Sequence, residues 1–205
     1  MILRTLFRRR PPIDDRASLA EFIDANAAFL VQKGIYEYAR ARAGHYAKVL
    51  FQETGFRDAV EQSRWRAYPL GLAMVTELVV GVLSPHDDGT DRQRNVDAVG
   101  DLALSVFDRY PVPGAVGTVT WSDLRVELTQ RLARIALHPP KPAMDIPEPF
   151  AEAYFKLMPI HEKLRGRDFF TTRNYLRVTM CNIHDDLTKR MDVRAVVTTL
   201  LTPAA

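Results

Sequence analysis

The sequence predicts an all-α protein, an irregular bundle of about six to eight helices in a single domain. Three observations lead there. Apolar residues recur at three- and four-residue spacing through most of the chain. Alternating runs of strand type do not recur. The 205 residues are 47% hydrophobic and 26% charged, an ordinary globular composition without low-complexity tracts or internal repeats. A chain of this length can bury a sizeable core without staples. The single cysteine, Cys181, excludes an internal disulfide and favours a reducing compartment.

Each element follows from local signals. Ser18 and Glu21 read as a capping box that opens a first helix, with Leu19, Phe22, Ile23, Phe29 and Leu30 at helical spacing and Gly44 as its stop. Residues 46–54 read as a short helix that Gly55 breaks. The next helix runs from Phe56 to Leu83, kinked or divided by Pro69. Its second half, 70–83, is apolar on nearly every side except Glu77, and fourteen residues reach only about 21 Å, short of a bilayer core. It is therefore expected at the centre of the bundle. Residues 84–90 form a loop.

Residues 91–110 give the next helix, with Val96, Val99, Ala103, Val106, Phe107 and Tyr110 as its stripe. A Gly- and Pro-rich loop follows at 111–119, and then a helix opened by Thr120 and Asp123 with Leu124, Leu128, Leu132 and Ile135 on one face. The prolines near 139–149 predict a stiff connector. The segment after it is too short for its own core, so residues 13–205 are kept as one domain. Residues 149–164 read as helical with Phe150, Tyr154 and Leu157 inward and Pro159 as a kink. After a turn at 165–168 comes a long helix to Arg190, then a short one at 193–201.

Residues 1–12 stand apart as a basic tip. At 100° per residue, Ile2, Leu3, Leu6 and Phe7 cover an arc of roughly 140°, with Arg4 and Arg8 opposite. Arg9 and Arg10 follow, and Pro11 and Pro12 stop the helix. The charges follow the apolar residues, which excludes a secretory signal. An amphipathic basic segment of this kind suits an anionic membrane surface. Each arginine near an acidic leaflet adds at most about 1 kcal/mol, so the tip alone docks weakly and needs a second contact from the body. The net charge is +3, and Arg4, Arg8, Arg9 and Arg10 supply all of it: beyond them stand 24 basic and 25 acidic residues, a net of −1. A neutral body makes nucleic acid an unlikely partner.

Candidate chemistry is sparse. Lys163, Arg165, Arg167, Arg173 and Arg177 oppose only Asp168 and are interleaved with Phe169, Phe170 and Tyr175, the best anion patch in the chain. Glu77 is a carboxylate inside an apolar helix that needs a partner or a proton. Cys181 and His184 share a helix face beside Asp185 and Asp186, but too few ligands are signposted, so no metal and no cofactor are expected. Asp185 with Lys189 and Asp186 with Arg190 read instead as i, i+4 ion pairs. His45 near Arg42 and Tyr46, His86 beside Asp87 and Asp88, and His161 beside Glu162 are further titratable groups. No phosphate loop, nucleophile elbow or metalloprotease motif occurs.

The function expected from this reading is that of a non-enzymatic helical binding, assembly or adaptor protein. A protein partner is expected, together with peripheral contact to the inner face of a membrane from the cytoplasm. The alternatives are a small helical enzyme or ligand-binding domain using Glu77 or the histidines in an interhelical pocket, and an RNA binder using 163–177.

Overall fold

Asp15 starts the first helix. Its side chain accepts the Ser18 N–H at 2.7 Å, and Ser18 Oγ accepts the Asp15 N–H at 3.1 Å, a capping box that opens α1, Arg16–Ala43. The box lies three residues before the one read from the sequence, and Ser18 is its third helical residue. Gly44, at φ 54°, ends α1 in a conformation that L side chains rarely adopt. The computed structural model from which these contacts come describes residues 10–84 and 92–201.

A single turn of 3₁₀-helix, Gly44–Tyr46, leads into the short α2, Ala47–Leu50. The long α3, Thr54–Leu83, follows. Two expectations are corrected here. Gly55 does not break a helix but sits in the first turn of α3, with no neighbouring atom that a side chain would meet. Pro69 does not divide α3. Its ring removes one backbone donor, yet every residue from 67 to 80 is buried, and that packing holds the helix continuous across it. An 18-residue window of α3 is apolar enough to cross a membrane, with a mean hydropathy of 1.4, but 83% of it is buried inside the bundle.

Around α3 pack α4 (Arg92–Asp108), α5 (Thr118–Ala133, continued by a 3₁₀ turn, Arg134–Leu137) and α1, which makes the most extensive contact. The α1–α3 approach is close because position 71 lacks a side chain: a Cβ there would lie 2.7 Å from the Ala27 carbonyl oxygen. Trp65, Tyr68, Phe107, Tyr110 and Trp121 form one aromatic cluster where α3, α4 and α5 meet, with Phe107 stacked on Trp121 at 4.2 Å.

The outer layer comprises α6 (Ala151–Lys156), α7 (Glu162–Arg165), α8 (Phe169–Arg190) and α9 (Val193–Leu201). The helix read across 149–164 is two short ones, because Pro159 cannot donate and the chain opens between them. The proline-rich connector is not a stiff spacer. It folds into turns, Asp145 N–H to the Pro142 carbonyl at 2.8 Å and Phe150 N–H to Pro147 at 2.9 Å, and buries Ile146 and Phe150. No β-strand occurs among the described residues. An isolated parallel bridge joins Ile13 to Met191, with Ile13 N–H donating to the Arg190 carbonyl at 3.0 Å. The result is an all-α bundle in a single-domain arrangement.

Candidate functional site

Charged and exposed apolar groups gather where the end of α1 meets the corner between α7 and α8. Gly166, at φ 54°, allows the sharp turn out of α7. Arg165 then folds back: its guanidinium donates to the Ile160, Phe155 and Met158 carbonyls at 2.7, 3.0 and 3.0 Å, satisfying the end of α6. Asp168 accepts the Tyr38 hydroxyl at 3.0 Å and pairs with Arg42 at 3.4 Å, while Arg42 also donates to the Leu164 carbonyl. These bonds tie the last turn of α1 to the corner. Burial, then the bond to Asp168, pushes the Tyr38 phenol up to about 12.

The five cations expected to form one patch divide. Arg165 is committed to carbonyls. Arg173 pairs with Glu148 at 3.2 Å, and Arg177 reaches Glu148 at 3.5 Å and Asp145 at 4.0 Å. Both acids belong to the proline-rich turns, 25 or more residues earlier in the chain. Lys163 and Arg167 stay exposed, with no ion pair among the described residues. Beside them Leu164 and Phe170 are 61% and 65% exposed. Beyond the end of α1, Tyr46 and Val49 are 73% and 56% exposed, in the segment that also carries the exposed Arg40, His45 and Lys48. The segment 40–49 carries no sequence motif, so its exposure was not legible beforehand, apart from His45.

The other predicted residues scatter. Glu77 is 6% exposed and accepts from Lys141 Nζ at 2.8 Å, and His138 Nε2 lies 3.2 Å from that same nitrogen. Arg92 holds this arrangement by donating to the Ile135 and His138 carbonyls. The buried carboxylate is thus compensated by a lysine and a histidine that the sequence reading did not single out. His45 is exposed, His161 caps α7 through Nδ1, and His184 borders the α8 core stripe, so none of the three joins Glu77. Asp185 and Asp186 pair with Lys189 and Arg190 at 2.6 and 2.7 Å. No metal-ligating cluster occurs among the described residues.

A second carboxylate, Asp24, accepts both Tyr68 at 2.7 Å and Tyr110 at 2.8 Å. Of the tip, Arg10 pairs with Asp186 at 3.0 Å, and Pro11 accepts from Arg190 at 2.9 Å. Ile2, Leu3, Arg4, Leu6, Phe7, Arg8 and Arg9 lie outside the described residues, as do His86, Asp87 and Asp88.

Comparison of the chain with protein-family models, with curated proteins and with solved structures finds no match.

Proposed function

We propose that this is a non-enzymatic docking protein that works at an anionic membrane surface. One observation carries the reading: Leu164 and Phe170 stand 61% and 65% exposed beside the unpaired cations Lys163 and Arg167. Solvent-exposed apolar side chains interleaved with Lys and Arg suit the boundary between lipid headgroups and acyl chains. Scattered single apolar residues need no explanation, but a cluster within one charged corner does.

The magnitudes favour a weak, additive contact. Each cation near an acidic leaflet contributes about 1 kcal/mol, and each large apolar side chain up to about 2 kcal/mol when fully withdrawn from water. That sum suffices for reversible binding and supplies the second contact that the basic tip needs. The same corner favours lipid over RNA, because Arg173 and Arg177 already hold carboxylates and only two cations of 163–177 are free.

Vesicle co-sedimentation tests this. The full chain should pellet with phosphatidylglycerol vesicles, fail to pellet with phosphatidylcholine vesicles, and release as salt rises. Leu164→Ser with Phe170→Ser should cut recovery severalfold, and a chain lacking residues 1–10 should lose a further share. Equal recovery on neutral vesicles, or binding indifferent to the double substitution, would sink the proposal. Retention of RNA instead of lipid would point to the other anion.

A further inference from the structure

Between α1, α6 and α8 lies a cavity of about 230 Å³. Tyr38, Tyr154, Met158 and Tyr175 give it an apolar wall, and Tyr154 and Tyr175 pack close on α1 because position 34 is glycine: a Cβ there would lie 2.4 Å from Tyr154 Oη and 2.5 Å from Tyr175 Cε1. The phenols do not offer their hydroxyls to it, since Tyr154 donates to the Val31 carbonyl at 3.0 Å and Tyr175 to Leu30 at 3.1 Å. Thr172 is 4% exposed, and its hydroxyl has no hydrogen-bond partner among the described residues. That oxygen is itself buried away from the cavity, so the wall offers a ligand no polar contact and suits a hydrocarbon chain.

A second recess, of about 550 Å³, adjoins the first and is lined by Arg40, His45 and Lys48. Glu37 and Ala41 line both spaces, so they share a rim. Neither Arg40 nor Lys48 has an ion pair among the described residues. With Glu37 counted and His45 neutral, the recess carries a net +1. That balance matches a singly charged anionic head.

We infer that the two spaces form one binding site for a single-chain anionic amphiphile, its head in the Arg40–Lys48 recess and its chain in the tyrosine-lined cavity. The volumes set the chain length. An apolar cavity of about 150 Å³ takes the six carbons of benzene, so about 230 Å³ takes on the order of nine. The site needs no bilayer, so it stands or falls apart from the vesicle result.

Calorimetric titration of the full chain with hexanoate, octanoate, decanoate and dodecanoate below their micellar concentrations tests it. Affinity should rise about fourfold per added methylene, the burial value for one CH₂, and level off at about nine to ten carbons. Ala41→Phe, on the exposed shared rim, should abolish binding without disturbing the core. Arg40→Gln with Lys48→Gln should weaken octanoate by tenfold or more and leave 1-octanol unchanged. Absence of binding, a gain that continues undiminished through dodecanoate, or affinity untouched by Ala41→Phe would each overturn the assignment.

Discussion

Tyr68 shows how a residue's surroundings set its chemistry. Its hydroxyl donates to Asp24 from inside the aromatic cluster, and burial, then that bond, raises its phenol far above the ordinary 10.0. Tyr110, Tyr154 and Tyr175 are raised as well, each chiefly by burial, and Tyr38 goes to about 12. The sign follows from proton counting. Above pH 10 the unfolded chain loses phenol protons that the folded chain keeps, so folding opposes ionisation there. Stability from these tyrosines is therefore complete below pH 10 and is lost as pH rises towards 12 and beyond. Phenolate absorbance should lag behind that of the unfolded chain and then rise together with loss of helical circular dichroism. Titration of all seven tyrosines near pH 10 with the helices intact would refute this. The same scale explains what could be read in advance. Glu77 was legible as a carboxylate in need of compensation, because an apolar run surrounds it. Its partner was not, because Lys141 lies 64 residues away and only the fold of the proline-rich turns brings it near.

At the scale of elements, one substitution at two glycines of α3 should have opposite signs. Gly71 faces α1, and an added methyl would meet the Ala27 carbonyl at 2.7 Å and Val31 Cγ1 at 2.9 Å. Since the nearest atom is backbone, two buried helices must separate, and Gly71→Ala should cost about 1–3 kcal/mol. Gly81, in the last turn of the same helix, has nothing within 4 Å of the added atom. There alanine only restricts the unfolded chain, and Gly81→Ala should gain up to about 1 kcal/mol. Urea midpoints with unchanged slopes check both, and equal shifts of the same sign would show that the α1–α3 approach is not limiting. The pattern of apolar residues located α4, α5, α8 and α9 to within a few residues, because each has a buried stripe against a polar face. It misjudged Gly55 as a break, Pro69 as a possible division and 149–164 as one helix, because a breaker residue ends a helix only where the surrounding contacts let it. Phe29 had helical spacing but is 49% exposed beside Lys33, since periodicity does not say how wide the buried stripe is.

For the whole molecule, the positions of the two basic regions constrain how it could meet a surface. Arg10, the last tip arginine, pairs with Asp186 near the C-terminal end of α8, whereas Phe170 and the free cations lie at its N-terminal end. The 22 residues between Phe169 and Arg190 span about 33 Å. On the helical wheel Asp186 lies about 160° from Phe170, so Arg10 and the corner meet opposite sides of α8 and a flat membrane on the Phe170 side does not reach Arg10. The outward face of that helix is partly apolar: Phe170 and Val178 are 65% and 61% exposed, and Asp185, further along it, is paired with Lys189. Cys181 is exposed on this face, within about 20° of Phe170 on the helical wheel, and it is the only cysteine in the chain. An environment-sensitive fluorophore on Cys181 therefore reports orientation without any substitution. Docking of the Phe170 face on anionic vesicles should shift its emission to the blue, and removing residues 1–10 should leave the shift in place while total binding falls. A label that stays in water on vesicle-bound protein would show that the Phe170 face does not lie on the membrane.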